Sequence, residues 1–232
     1  MRDKKAVVLL SGGVDSSTTL AIAKNEGREA HALSFRYQQR HEIEIQAAKK
    51  VAMFYSVASH LTVDFNLRAI GGSALTGNEE VPKGRSAEAI AQGIPATYVP
   101  ARNTIFLAFG LALAEKVEAE EIFFGANQLD YSGYPDCREE YVNAFEAMAN
   151  LATKAAVEGK LRVQIRTPLI HMTKGEIIKK GMELGLDYAL TWSCYDPAPG
   201  GLACGLCDSC QIRLKGFAGA GFEDPIAYLQ SV

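Results

Sequence analysis

The sequence predicts an α/β fold, a doubly wound and mostly parallel sheet, with a four-cysteine zinc substructure near the C-terminal end. Three observations predict it. Short apolar runs alternate with amphipathic stretches along most of the 232 residues, the rhythm of strands and crossover helices that cover both faces of a sheet. The first apolar run, Ala6–Leu10, is uncharged and partly β-branched, as a strand buried on both faces should be. It stops abruptly at Ser11-Gly12-Gly13-Val14-Asp15-Ser16, where helix-forming residues begin.

Strand candidates are Ala6–Leu10, Glu29–Phe35, His60–Phe65, Glu121–Gly125 and Leu161–Ile165. Helix candidates are Ser16–Glu26, Glu42–Tyr55, Asn103–Val117, Glu139–Glu158 and Lys174–Leu184. Crossovers between parallel strands are right-handed, and ligands of such sheets sit beyond the carboxyl ends of the strands. The segments Ser11–Ser16, Tyr37–His41, Asn127–Arg138 and the stretch after Thr167 each follow a strand candidate and are expected to meet at one pocket. Residues 67–97 break the rhythm with Gly71-Gly72, Gly77, Gly84, Gly93, Pro82 and Pro95. They read as a long loop with short helical pieces, either a lid or a disordered insertion. We expect residues 1–186 to form the nucleotide-binding domain and 187–232 a C-terminal zinc-binding segment.

Composition narrows the function. A chain that is 48% hydrophobic and 22% charged suits one globular unit. Its formal net charge of −3 argues against a dedicated nucleic-acid binder, which needs clustered Lys and Arg. No apolar stretch reaches the length of a membrane span, and no signal peptide precedes the first strand. The expectation is a cytoplasmic protein with neither nucleic acid nor membrane as partner. Its five cysteines should then be reduced or metal-bound.

The turn after the first strand suits the pyrophosphate of a nucleotide. Gly12 and Gly13 allow the backbone to approach a ligand closely. Ser11, Ser16 and Ser17 add hydroxyls, and the free N–H groups opening the next helix point at the same place. The chain has neither G-x-x-x-x-G-K-[ST] nor a G-x-G-x-x-G after the strand, which excludes two common phosphate loops. The bland alternative is a turn that only reverses the chain. Near the other end, Cys194, Cys204, Cys207 and Cys210 are spaced C-x9-C-x2-C-x2-C. Four thiolates suit tetrahedral zinc, although an iron–sulfur cluster takes the same ligands. A closed shell of four leaves no position for water, so the metal is expected to be structural. Cys137 stands apart and reads as a packed thiol or a pocket wall.

S-G-G-x-D-S at the end of a first strand resembles the PP-loop of the N-type ATP pyrophosphatase superfamily. Further along come Tyr37-Gln38-Gln39-Arg40-His41 with Glu44, then Ile94 through Asn103, then Asp130-Tyr131-Ser132-Gly133-Tyr134-Pro135-Asp136-Cys137-Arg138, then Thr167-Pro168-Leu169 and the cysteines. This ordered set, spanning almost the whole chain, resembles the 7-cyano-7-deazaguanine synthase family of queuosine biosynthesis. The chain departs at Gln38, where the family usually has Gly or another small residue, and at Ala96 and Ala101, where Asn and Gly are common. The resemblance implies an adenine nucleotide alpha hydrolase-like fold, a homodimer, and an ATP-dependent ligase using Mg²⁺ and Zn²⁺. Its reaction adenylates 7-carboxy-7-deazaguanine, forms an amide with ammonia, adenylates the amide and expels AMP to leave a nitrile. A tRNA thiolation enzyme or an amide-forming synthetase of the same superfamily is the competing reading. Thiolation would favour a basic surface and a catalytic cysteine pair, which this acidic chain does not advertise.

The resemblance also nominates residues. Leu10, Ser11, Gly12, Gly13, Val14, Asp15, Ser16, Ser17 and Arg40 are the candidates for ATP. Asp15, Ser16, His41 and Arg102 are the candidates for catalysis. Asp15 either helps hold the magnesium ion indirectly or caps the helix. Arg102 suits an anion, phosphate or carboxylate, with a surface ion pair as the alternative. His41 could shuttle protons or be merely solvated, and Glu44 could orient His41 or Arg40. Asn103 either caps its helix, the preferred reading, or binds ligand. Asp130 and Asp136 would accept from a guanine-like edge, Tyr131 or Tyr134 would stack on the base, and Arg138 would bind the carboxylate. Lys174, near the start of a late helix, either reaches an anion or is a solvated helix charge, the latter being the preferred reading.

Overall fold

The computed structural model describes residues 4–90, 93–129 and 134–229. Five strands, β1 (Lys5–Leu9), β2 (Glu29–Arg36), β3 (Ser59–Asp64), β4 (Glu121–Phe123) and β5 (Gln164–Arg166), form one sheet in the order β3-β2-β1-β4-β5. Every pairing is parallel. Between them run α1 (Val14–Asn25), α2 (Ile43–Phe54), α3 (Ala87–Ile90), α4 (Arg102–Val117), α5 (Glu139–Ala152), α6 (Lys154–Val157), α7 (Lys174–Glu183) and α8 (Asp208–Ala220).

Alternation along β1 explains its unbroken apolar character. Val7 and Leu9 pack into one core with Leu107 and Leu111 of α4. Ala6, Val8 and Leu10 enter a second core with Leu20 and Ala23 of α1 and Ala48, Val51 and Ala52 of α2. From Ala6 onward both faces are buried, so no polar residue fits there. At the opposite end of the sheet from the glycine turn, Glu121 of β4 is held by Arg28 and Arg166, each at 2.5 Å.

Four local expectations change. The segment expected as one helix over 139–158 is broken at Thr153, whose φ of −101° and ψ of 144° are extended. The last strand begins at Gln164, later than its apolar run suggested, because that is where pairing with β4 starts. Helix α8 is unheralded in the sequence, since Gly216 and Gly219 lower its intrinsic propensity. Gly216 is there for packing: a Cβ would lie 2.3 Å from Lys174 Cγ and 2.9 Å from Ile178 Cδ1 of α7. Finally, residues 67–90 are not a disordered insertion. Leu67, Leu75 and Val81 are buried in the main core, and Gly84 donates its N–H to the Leu206 carbonyl at 2.9 Å.

Four non-glycine residues, Gln38, Ser56, Ala101 and Glu118, take left-handed backbone among the described residues, and two of them lie in segments that lead to the site. Gln38 has φ of 62° and Ala101 φ of 53°, left-handed backbone that costs a residue with a Cβ about 1–2 kcal/mol relative to glycine. Ala101 is exposed, so removing its methyl group loses no packing. Ala101→Gly should therefore raise stability by about 1 kcal/mol after the unfolded-state entropy of glycine is allowed for. Thermal melts check this, and an unchanged or lower midpoint would contradict it.

Candidate active site

The chain runs from β1 outward through β2 and β3, then returns to the other side of β1 as β4 and β5. The carboxyl ends of β1 and β4 thus flank a crevice where the winding reverses. A cavity opens there, and the four segments following strands meet in its wall. It is lined by Ser11, Asp15 and Ser16, by Tyr37, Arg40 and His41, by Asn127, Tyr134 and Cys137, and by Lys174. Glu44, Arg102, Trp192 and Tyr195 complete the polar lining considered below.

The glycine turn is fixed from behind. Gly12 has φ of +83°, and a Cβ on it would lie 2.5 Å from the amide nitrogen of Ala48 and 2.6 Å from the Glu44 carbonyl. Only glycine permits that approach to α2. Ser16 Oγ accepts the Ser11 N–H at 3.1 Å and lies 2.9 Å from Ser11 Oγ. Gly13 is the N-cap of α1 and no side chain caps the helix, so its first-turn amides remain available to an anion. Leu10, Ser11, Gly13, Val14, Asp15 and Ser16 face the cavity. Gly12 instead backs onto α2, and Ser17 is fully buried with its hydroxyl unpartnered among the described residues.

Two helix-end expectations are corrected here. Asp15 does not cap α1; it sits in the first turn and forms a 2.5 Å ion pair with Lys174. Lys174 is accordingly buried, not a solvated helix charge. Asn103 does not cap α4 either, because the N-cap position belongs to Ala101. Its N–H donates to the Asp136 carboxylate at 3.2 Å, and its Nδ2 donates to the Asp136 carbonyl at 3.4 Å and Cys137 Sγ at 3.3 Å. Asp136 is thus turned toward the start of α4. Burial raises the Asp136 carboxyl above its ordinary range, against the Asn103 amide and Arg102 charge.

Arg102 is enclosed by protein yet keeps its charge. Burial alone would lower its pKa, but the oxygens of Tyr37, Tyr134 and Tyr195 raise it overall. Its Nε lacks a hydrogen-bond partner among the described residues, and its guanidinium lies 5.9 Å from the Phe106 ring centre. This is a cavity cation with spare donors, suited to an anion. Glu44 does not orient His41 or Arg40. Its Oε1 accepts Gln39 Nε2 at 2.7 Å. Burial pushes its carboxyl up to about 7, although the Arg102 charge and the Gln39 hydrogen bond pull the other way. His41 is half-buried and donates from Nε2 to the Cys194 carbonyl at 2.9 Å, while burial lowers its pKa. Arg40 donates to the Ala74 carbonyl at 3.0 Å and to the Glu79 carbonyl, and lies 3.7 Å from Asp196.

The remaining candidates divide. Asp130 and Tyr131 lie outside the described residues. Tyr134 lines the cavity, its hydroxyl 3.1 Å from Thr97 Oγ1. Cys137 forms part of the wall, and burial pushes its thiol up to about 12. Arg138 is exposed and stands outside the cavity, at the N-cap position of α5.

The four clustered cysteines meet. Their sulfurs all lie within 4.8 Å of one another and are buried, with Cys204 and Cys210 at 4.0 Å and no disulfide among them. Tetrahedral zinc with sulfurs at ~2.3 Å separates its ligands by just under ~4 Å. Backbone amides point at two of the sulfurs: Cys204 N–H donates to Cys194 Sγ at 3.3 Å, and Cys207 N–H to Cys204 Sγ at 3.3 Å. The donor set fits a metal. Sequence reasoning missed the residue joining this cluster to the glycine turn. Trp192 donates its backbone N–H to the Gly12 carbonyl at 2.8 Å and its indole N–H to the Cys194 carbonyl at 3.1 Å. Being the single tryptophan, two residues before a cysteine ligand, was the only available hint.

The family model for queuosine biosynthesis protein QueC matches residues 5–221. Relatives named 7-cyano-7-deazaguanine synthase include one from Geobacter metallireducens, 63% identical over 225 residues, covering 97% of this chain and 93% of the relative. Another, from Syntrophotalea carbinolica, is 61% identical over 229 residues, covering 99% of this chain and 98% of the relative. Among solved structures, NMN synthetase from Francisella tularensis superposes with a TM-score of 0.48 at 16% identity, over 86% of this chain and 67% of that one, too loosely to add to these.

The setting of Glu44 has a measurable cost. Its carboxyl holds a proton more tightly in the native state, near pH 7, than in the unfolded chain, near pH 4.5. Stability therefore falls as pH rises through that window and levels off above it. Glu44→Gln removes the titration. It should match the wild type below pH 4.5 and exceed it by about 3 kcal/mol at pH 8. Urea melts at the two pH values check this, and equal stabilities at pH 8 would contradict it.

Proposed function

The chain belongs to the family of the queuosine biosynthesis protein QueC, and on that premise we propose that it makes 7-cyano-7-deazaguanine from 7-carboxy-7-deazaguanine, ammonia and ATP. The observation that carries this reading is the 61–63% identity, over 97–99% of the chain, to relatives named for that synthase. An open helix N-terminus, a half-buried arginine and tyrosines sharing one cavity support it.

Carboxylate and amide oxygens leave poorly, whereas AMP leaves well. One site serves both rounds because each begins with a substrate oxygen attacking the α-phosphorus and expelling pyrophosphate. Most of the work is then positioning and offsetting negative charge. The amides of Gly13 through Ser16 and the Ser11 and Ser16 hydroxyls receive the departing pyrophosphate. Arg102 receives the substrate carboxylate or the α-phosphate. Tyr134 offers a ring for the deazaguanine base. Magnesium would ride on the phosphate oxygens; the protein carboxylate nearest the turn, Asp15, already has one oxygen on Lys174, so it assists the ion indirectly.

Zinc would be held by Cys194, Cys204, Cys207 and Cys210. With every ligand position filled by sulfur, it supplies bracing and no reaction chemistry. On this reading residues 187–232 are a metal-pinned appendage to a nucleotide-binding body of residues 1–186. We further infer a cytoplasmic homodimer acting on free small molecules, consistent with a net charge of −3 and with the absence of any helix long and apolar enough to cross a membrane among the described residues.

Incubating the protein with 7-carboxy-7-deazaguanine, ATP and ammonium, then weighing the products by mass spectrometry, tests this reading. The expected outcome is the nitrile, with two AMP released per nitrile and near-stoichiometric zinc in the protein. ATP consumption that stops at the amide, or that depends on tRNA, would contradict it.

A further inference from the structure

We propose that Glu44 is the general base that takes protons from the ammonia nitrogen in both rounds, an assignment that rests on the ligase reading above. The position comes first. The Glu44 carbonyl lies against Gly12, so α2 and the phosphate turn hold this residue at the edge of the cavity that its side chain lines. One carboxylate oxygen, Oε1, is fixed by Gln39 at 2.7 Å. The other makes no hydrogen bond among the described residues and is open to a nitrogen. Charged and titratable neighbours face it from two elements, Arg102 of α4 and Tyr37 beyond β2. The guanidinium suits the anion and the carboxylate suits the ammonium, so the two reactants are drawn to opposite sides of one gap.

The other acid–base groups of the wall are committed elsewhere. Asp15 is paired with Lys174 at 2.5 Å. His41 donates its Nε2–H to the Cys194 carbonyl, and its remaining nitrogen, Nδ1, has no partner among the described residues but is sealed from solvent. Cys137 lies against Asn103, and Asp136 faces the first turn of α4. Burial also gives Glu44 a proton affinity near neutrality, which a base working at that pH requires.

The chemistry balances. In the first round Glu44 takes the extra proton of ammonium and passes it to water, the freed nitrogen lone pair forms the C–N bond, Glu44 takes a second N–H proton, and the C–O bond breaks with its electron pair leaving on AMP. Glu44 then returns the proton to water. In the second round the amide oxygen attacks the α-phosphorus, pyrophosphate departs, and Glu44 takes one N–H proton from the resulting imidate and passes it to water. Glu44 takes the last one, the freed pair becomes the third C–N bond, and AMP departs again.

The test compares wild type, Glu44→Gln and Glu44→Asp in three assays. The first is carboxylate-dependent isotope exchange between pyrophosphate and ATP without ammonium. The second is ammonium-dependent amide and nitrile formation. The third replaces ammonium with hydroxylamine, which is already unprotonated near neutral pH. For Glu44→Gln, exchange should stay within about threefold of wild type while ammonium-dependent products fall about 10²–10⁴-fold. Hydroxylamine should recover most of the acyl transfer, and Glu44→Asp should be intermediate. Nitrile formation at the wild-type rate, loss of exchange as large as the loss of nitrile, or no recovery with hydroxylamine would each overturn the assignment. Wild-type protein without any exchange would instead overturn the ligase reading, and this assignment with it.

Discussion

The close approach of Gly12 to the backbone of α2 governs the rest of the site. With no side chain at position 12, the turn after β1 can lie on the Ala48 amide and the Glu44 carbonyl. That contact fixes where the chain enters α1 and hence where its free amides point. It also sets Glu44 beside the phosphate turn. Donors placed before any ligand arrives need not reorganise as charge develops, which is where most electrostatic catalysis originates.

The turn is braced from the other side by the cysteine segment. Trp192 joins the Gly12 carbonyl to the Cys194 carbonyl, and His41 donates to that same carbonyl. Lys83 meets Asp196 at 2.7 Å, tying the 67–90 stretch to the same loop. Beyond the cysteines, Arg213 is buried and bound to Asp224 at 2.7 and 2.9 Å, with Tyr228 donating to the same carboxylate. Removing one partner of such a buried pair costs about 3–5 kcal/mol, so the C-terminal end is firmly clasped. A metal bound by these four cysteines would hold the residues that hold the turn.

What was legible in the sequence was local. Ala6–Leu10, the glycine turn and the cysteine spacing each carry their meaning within a few residues, through apolar run length, backbone freedom and thiolate geometry. The partnerships were not local. Lys174 lies 159 residues from Asp15, and nothing in its own helix marks it as buried. Asn103 looks like a cap until Asp136 is seen beside it, and α8 hides behind glycines that exist to fit α7. Gln38 and Ala101 conceal strain because their residue types suggest ordinary backbone. Glu44 looked like a partner for its neighbours Arg40 and His41, whereas Gln39 and the distant Arg102 set its chemistry.

On the proposed function, the glycine turn holds ATP so that a substrate oxygen displaces pyrophosphate, twice, in one place. Labelling both carboxylate oxygens of 7-carboxy-7-deazaguanine with ¹⁸O tests it most directly. The account predicts one ¹⁸O in each AMP released, from the acid in the first round and from the amide in the second, with none in pyrophosphate and an unlabelled nitrile. Label in pyrophosphate, or AMP without label, would contradict it.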